Sequence, residues 1–370
     1  MSNSSFESSE NQAPSKAAHY RCSNCSAPVT FDPSRGALAC EHCGHADAVE
    51  VPLSEVPEYC ISEALRRPER QGYDRPVRRI RCENCGATVD FDPGVVAGRC
   101  AFCSASSVVQ VDEAPRLWRP ESLLPFKVSR DDALGAYNKW LSSLWFRPSD
   151  LQKQAKVSEV CGVYLPYWTF DARADSWWTA EAGYYYYVTV SSRDSNGNTQ
   201  TRQERRTRWE PASGRHGDDY RNVPVYASQG LPVPMCRAIE PYPWENLTPY
   251  DPRYLSGFAA EEYVIDATEG WARGQQRMND MEREKCGRMV PGDTHRNLRV
   301  STRLSNAKFR HVLLPVWIAA YQYKGDAYRF LVNGQTGKVD GKAPWSWVKI
   351  SLAILVFLTI MAVLIILSGQ

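Results

Sequence analysis

Eight of the twelve cysteines recur in pairs at one spacing. Cys22, Cys25, Cys40 and Cys43 form C-x2-C-x14-C-x2-C, and Cys82, Cys85, Cys100 and Cys103 repeat it without a slip. Four thiolates so spaced are the donor set of a tetrahedral structural zinc, with Zn–S near ~2.3 Å. Redox dithiols are the other chemistry open to Cys-x-x-Cys, but they seldom recur as hairpin-spaced doublets. The pattern therefore predicts two zinc ribbons, over 19–48 and 79–112, and two structural zincs per chain. Because four protein ligands fill the tetrahedron, these zincs should fold the chain and leave no coordination position for a substrate. His42 and His45 could each replace a thiolate, yet a complete set of four makes them surface residues. Cys60, Cys161, Cys236 and Cys286 stand alone without a recognisable base and read as small apolar side chains.

The ligand pairs need hairpins to bring them together. Val29 to Phe31 reads as a strand, Asp32-Pro33-Ser34-Arg35-Gly36 as a turn, and Ala37 to Ala39 as the return; Val89 to Phe91 followed by Asp92-Pro93-Gly94 does the same. Such units are too small to hold a hydrophobic core unaided. The segment joining them, 49–78, leads into the second ribbon through RRPERQGYDRPVRRIRC, where Arg66, Arg67, Arg70, Arg75, Arg78, Arg79 and Arg81 are opposed by Glu69 and Asp74. A run of this kind can bind nucleic-acid phosphates. It can also be a solvated linker, compensate the charge of thiolate zinc centres, or face an anionic membrane leaflet.

Residues 1–18 are Ser, Asn and Glu rich and are expected to be disordered. Residues 115–344 read as a mixed α+β domain rich in Trp and Tyr, types that suit half-buried pleated surfaces. Ser129 with Asp132 forms a capping box ahead of Ala133, Tyr137, Trp140, Leu141 and Leu144, and Pro148 ends the run. A second short helix should open at Ser149 and Gln152 and lead into a series of strands from Gly162 to Val190. Asp194-Ser195-Asn196-Gly197-Asn198 lacks the glycine position and terminal acid of a calcium loop and reads as a hairpin tip. TRQERRTRW is then the returning strand. The prolines of EPYPWENLTPYDPRYLSG imply an irregular connection. From Ala259 to about Arg288 a helix is expected, with Tyr263, Ala267, Trp271 and Met278 buried. The pattern L-P-x-W occurs twice, at Leu165, Pro166 and Trp168 and at Leu314, Pro315 and Trp317, which suggests two related halves paired with each other. Asn333-Gly334-Gln335-Thr336-Gly337 reads as a hairpin loop. Val332 and Val339 occupy places where a Walker A would need Gly and Ser or Thr.

The chain closes on an uncharged apolar run, Ile350 to Leu367, within an expected transmembrane helix over 348–367, and the run is long enough to cross a hydrocarbon core. It has no polar face of the kind a core helix shows, and it stands at the end opposite a signal peptide. Lys338, Lys342 and Lys349 precede it, so a single-pass tail anchor in the inner (cytoplasmic) membrane is expected, with the N-terminal bulk in the cytoplasm. Trp345 and Trp347 fall where interfacial aromatics belong. A reducing compartment favours metal over disulfides for the paired cysteines.

The paired ribbons, LPFKV from Leu124, GVYLPYW, HVLLPVW, LVNGQTGKVDGKAPWSWVKI and the terminal span together resemble a bacterial family. Its members are tail-anchored zinc-ribbon membrane proteins, often labelled primosomal-helicase-like or as carrying a TFIIB-type ribbon. The resemblance covers nearly all of the chain after residue 20, and LVNGQTGKV is its most specific part. It implies a role in membrane organisation or envelope stress beside flotillin-like SPFH proteins. The helicase label rests on cysteine spacing alone: the chain has no Walker A and no room for motor domains. Neither H-E-x-x-H, G-x-S-x-G nor a dinucleotide fingerprint occurs, so an enzyme is not expected. The sequence reads best as a membrane-anchored adaptor that recruits membrane proteins, with a membrane-tethered nucleic-acid binder as the alternative.

Overall fold

The computed structural model describes residues 20–50, 56–64, 78–91, 100, 102, 105, 108–110, 118–151, 156–193, 199–324 and 326–368. Outside them lie residues 1–18, Arg66, Arg67, Arg70 and Arg75 of the linker, the second ribbon's turn from Asp92, Cys103, Gln152 of the short helix, and the tip Asp194 to Asn198. The elements run β1 (Thr30–Asp32), β2 (Ala37–Ala39), β3 (Ala46–Ala48), β4 (Tyr59–Cys60), α1 (Ile61–Ala64), β5 (Arg78–Cys82), β6 (Thr88–Phe91), β7 (Val108–Gln110), β8 (Ser122–Leu123) and α2 (Arg130–Ser143). There follow β9 (Lys156–Arg193), β10 (Thr199–Tyr226), α3 (Val233–Ala238), β11 (Thr248–Pro249), β12 (Ala259–Glu261), α4 (Ala267–Met289), β13 (Thr294–Tyr323), β14 (Asp326–Asn333), β15 (Val339–Gly341) and α5 (Trp347–Ser368).

The expected series of strands after Gly162 is one strand of 38 residues, flanked by two others of 28 and 30. Its aromatic and β-branched composition favours an extended chain, and its alternation fixes which face is covered. Trp168, Phe170, Ala172, Ala174, Ser176, Trp178, Ala180 and Ala182 are buried, whereas Asp171, Arg173, Asp175, Trp177, Thr179 and Glu181 are not. β9 is central: β13 runs antiparallel along one edge from Gln322 opposite Lys156 to Thr294 opposite Gly183, and β10 runs along the other from Tyr226 opposite Tyr167 to Thr199 opposite Arg193.

Two similar units meet at this ladder. Leu165 lies directly opposite Leu314, the repeated position of L-P-x-W in each strand. β12 pairs parallel with β9 at Val163 and Tyr164, and β8 pairs parallel with β13 at Val312 and Leu313. Each short strand leads to a helix with a side-chain N-cap, Asp266 for α4 and Ser129 for α2. The backbone N–H of Ala227 donates to Pro166 O and that of Gly334 to Pro315 O, each at 2.9 Å. Val264 and Ile265 N–H both donate to Ala227 O, as Lys127 and Val128 N–H do to Gly334 O. Trp168 Nε1 donates to Ile265 O at 2.7 Å, and Trp317 Nε1 to Val128 O at 2.9 Å. The buried helix positions also correspond: Ala133, Tyr137 and Leu141 in one, Gly270, Gly274 and Met278 in the other. Where α2 carries Tyr137 the matching strand residue is Ala319, and where α4 carries Gly274 it is Phe170. The large side chain sits on the helix in one unit and on the strand in the other.

Two expectations for α4 are corrected. Residues from Ala259 to Glu261 form β12, because they fill a gap beside β9, and the helix starts at Ala267. Its buried stripe is Gly270, Gly274, Met278, Glu282 and Cys286 in place of Tyr263, Ala267 and Trp271. The glycines let the backbone approach aromatic rings: a Cβ at Gly270 would lie 2.7 Å from Trp168 and one at Gly274 2.8 Å from Phe170.

Among the described residues twelve strands, the three long ones included, share one sheet. His311 on β13 is fully buried against Trp168 and Tyr263; its Nδ1 lies 3.0 Å from Trp118 O. Asn333 is buried at the β14–β15 turn, accepts from Gln335 and Thr336 N–H, and donates to Ile239 O, while Gly337 takes φ +72°. The outer edge of β10 carries no paired strand among the described residues; it is blunted by Arg202, Glu204, Arg206, Arg208 and Pro211. α5 is long and apolar enough over Trp347–Leu367 to cross a membrane, and none of that stretch is buried against the body. At its start Ser346 N–H donates to Phe146 O, and Arg147 lies 3.8 Å over the Trp345 ring.

Two measurements test this packing. Gly274→Ala should gain helix propensity of about 1 kcal/mol but lose about 1–3 kcal/mol to overpacking against Phe170, for net destabilisation. Gly135 in α2 has open space around its Cβ position, so Gly135→Ala should stabilise; thermal unfolding of the two variants should move in opposite directions. Burial holds the His311 imidazole down at about 4. The unfolded chain then binds a proton that the folded chain refuses, so this contribution is complete above about 6.5 and fades as pH falls to about 4. His311→Phe should flatten the stability-versus-pH curve across that window.

Candidate metal centres

The first cluster is assembled by hairpin β1–β2, on which Thr30 lies opposite Ala39, and by β3 beyond it. The Sγ atoms of Cys22, Cys25, Cys40 and Cys43 all lie within 4.8 Å of one another, with Cys22–Cys43 and Cys25–Cys40 at 3.5 Å. A zinc tetrahedron with ~2.3 Å bonds has edges of about 3.8 Å, so small side-chain adjustments would seat the ion. In the second cluster Cys82, Cys85 and Cys100 are brought together, with Cys85–Cys100 at 3.7 Å. The fourth expected ligand, Cys103, lies outside the described residues.

Three of the four ligand pairs, those of the first cluster and Cys82 with Cys85, sit on the same tight turn. Ser26 N–H donates to Cys22 O, Gly44 to Cys40 O and Gly86 to Cys82 O, all at 2.9 Å, with φ of +60°, +75° and +75°. The chain then returns: Cys22 N–H donates to Ala27 O, Cys40 to His45 O, Cys82 to Ala87 O and Cys100 to Ala105 O. These turns point backbone N–H groups at sulfur, as Asn24 N to Cys22 and Phe102 N to Cys100 do at 3.4 Å. Such donors favour the thiolate a metal needs. Cys43, which takes the His45 backbone hydrogen bond and then one from Cys25, is pushed down to about 6. Against the pull of the Ala27 backbone hydrogen bond, Cys43 and burial push Cys25 up to about 12. Cys43 is the exposed corner of the cluster. His45 bonds Asp47 at 3.0 Å on the surface, and His42 is exposed.

Neither cluster stands apart from the body. Phe31 N–H donates to Ser256 O, Ser256 Oγ to Val29 O at 2.8 Å, and Phe31 meets Tyr254 edge-on at 5.0 Å between centroids. Val29, Phe31 and Leu38 belong to the same apolar cluster as Leu255 and Phe258. The second cluster is part of the main sheet: β6 pairs with β12, Ala260 opposite Asp90 and Glu261 opposite Val89. The ladder therefore crosses the boundary expected near 112–115. Arg79, read in the sequence with the exposed arginines of the linker, is instead nearly buried, 3.3 Å from Asp90 and paired with Glu262. Burial, then Asp90, raises the Glu262 carboxyl to about 8. Its neighbour Glu261, fully buried, accepts Tyr226 OH and Ser228 Oγ and is raised by burial to about 8. Neither glutamate carried a sequence signal, because each partner arrives from a different strand. Cys286, expected to stand alone, is brought beside His216 and Glu282.

No family model matches the chain, and no solved structure matches it. It is 27% identical over 333 residues, 90% of this chain and 92% of the other, to the uncharacterized protein YdjG of Bacillus subtilis strain 168.

The metal assignment has a direct test. Purified full-length chain should carry tightly bound zinc by elemental analysis, and Cys22→Ser with Cys40→Ser should remove one equivalent. Protein that is folded, metal-free and unresponsive to those substitutions would end the zinc reading.

Proposed function

We propose that this chain is a membrane-anchored adaptor: α5 crosses the inner membrane once, the bulk of the protein lies in the cytoplasm, and the zinc-held ribbons and β-sheet body recruit partner proteins there. The observation that carries this reading is an arm. Past Gly183, opposite the first residue of β13, β9 and β10 run on as a two-stranded ribbon with Tyr185, Tyr186 and Tyr187 exposed. The anchor leaves from the other end of β9: Tyr321, opposite Val157, donates to Lys342 O shortly before α5. At ~3.3 Å per residue, the span from Lys156 to Gly183 sets the arm on the order of 80–90 Å from that end. Exposed tyrosines on a stiff ribbon supply large contact area at little cost in conformational freedom. Lys338, Lys342 and Lys349 beside α5 support cytoplasmic orientation, and the family resemblance makes flotillin-like SPFH proteins the first partners to seek.

A nucleic-acid reading has one observation in its favour. Arg205 lies 4.3 Å over the Tyr185 ring, with Arg202, Arg206 and Arg208 on the same strand, and a two-stranded ribbon fits a major groove. The loss of Arg79 to its carboxylate partners weakens the linker as the contact surface. Photocrosslinkers at Tyr186 and Tyr187 in intact cells separate the readings. The adaptor predicts membrane-protein adducts that persist in high salt, and protease added to spheroplasts that spares the ribbons. Predominant nucleic-acid adducts, lost when Arg205 and Arg206 become Ser, would overturn it.

A further inference from the structure

We propose that His216, Glu282 and Cys286 form a further zinc site, of mixed donors and separate from the cysteine clusters, between α4 and the three long strands. The ligand atoms of the three side chains, an imidazole nitrogen, a carboxylate oxygen and a thiol sulfur, lie within 4.8 Å of one another. Glu282 and Cys286 stand four residues apart, on one face of α4, and both are fully buried. His216 reaches the same point from β10, its Nδ1 2.9 Å from Glu282 Oε2. The register explains the meeting: His216 lies opposite Ser176, and Ser176 opposite Thr302, so three strands present one polar rung beneath the helix.

That rung supplies the supporting hydrogen bonds a metal site needs. Ser176 Oγ donates to Glu282 Oε2 at 2.7 Å and lies 2.8 Å from Thr302 Oγ1, while Tyr220 OH donates to Glu282 Oε1 at 2.7 Å. These contacts orient the carboxylate as outer partners orient metal ligands. A buried carboxylate also needs a cation. Lys285, one helical residue before Cys286, is turned to Asp218 and Tyr220 OH and does not reach it directly. A hydrogen-bonded histidine could meet that need alone, but it would leave unexplained why a thiol closes the third corner. Sulfur, nitrogen and oxygen together select zinc over magnesium or calcium, which take oxygen ligands. His216 is about one fifth exposed on its side chain, which gives an ion a way in. Three protein ligands leave the fourth position open toward that side, for water or an incoming small ligand. In this respect the site differs from the four-cysteine cluster.

The test uses full-length chain in detergent, loaded with zinc and washed through a metal-free column. Elemental analysis should find one equivalent more than the same chain carrying Cys286→Ser, and His216→Gln should cause the same loss. Both variants should keep the ribbon zinc. Zinc-edge X-ray absorption of the unsubstituted chain gives a readout that needs no variant: the mean sulfur count should fall below four, with nitrogen or oxygen filling the difference, and should return toward four in Cys286→Ser. Equal zinc content in all three proteins, or an all-sulfur shell in the unsubstituted chain, would overturn the proposal. If a substituted chain fails to fold, the absorption shell of the unsubstituted one decides alone.

Discussion

The antiparallel ladder between β9 and β13 is the constraint from which the other placements follow. With Leu165 opposite Leu314, each strand presents its second edge to the same succession of partners, a short parallel strand and then a returning antiparallel one. A slip of one residue would move Trp168, Phe170 and Trp178 to the opposite face of the sheet and pull the indole N–H groups of Trp168 and Trp317 off their carbonyls. It would also lift β12 away from β6, and with it the second cysteine cluster. The cysteine clusters at the N-terminal end of the chain therefore lean on strands far later in the sequence.

This dependence explains what was legible in the residues. The cysteine pairs announce themselves because turn geometry is local: Cys-x-x-Cys followed by a residue able to take positive φ is enough to specify the knuckle. The capping serine of α2, the Asn333–Gly337 turn and the apolar run of α5 are local in the same sense. The length of β9 was hidden, since nothing local in the run from Gly162 to Val190 tells one long strand from several; Asp171, Arg173 and Asp175 lie on the face opposite the buried Ala172, Ala174 and Ser176. Glu261, Glu282 and His216 were illegible because their meaning depends on register across strands far apart in sequence. Arg79 was misjudged for the same reason: its carboxylates come from β6 and from the residue just after β12.

Fusion with the sheet also changes what a zinc ribbon must do. A ribbon of this size standing alone relies on its metal for nearly all of its stability. Here Phe31 and Leu38 share a core with Phe258, and β6 is one strand of a large sheet, so part of the fold's support comes from the body. A metal held by the cysteines and the body would then stabilise each other.

α4 has 23 residues and α2 has 14, and their caps and first buried positions correspond. Glu282 and Cys286 fall in the stretch of α4 that has no counterpart in the shorter helix. Likewise, β9 and β10 outrun β13 only at the end farthest from Leu165 and Leu314. The two units thus agree where they hold each other and differ where they extend beyond that contact. Such a plan favours evolvability: the shared middle preserves the fold, and the free ends can acquire new side chains without disturbing it.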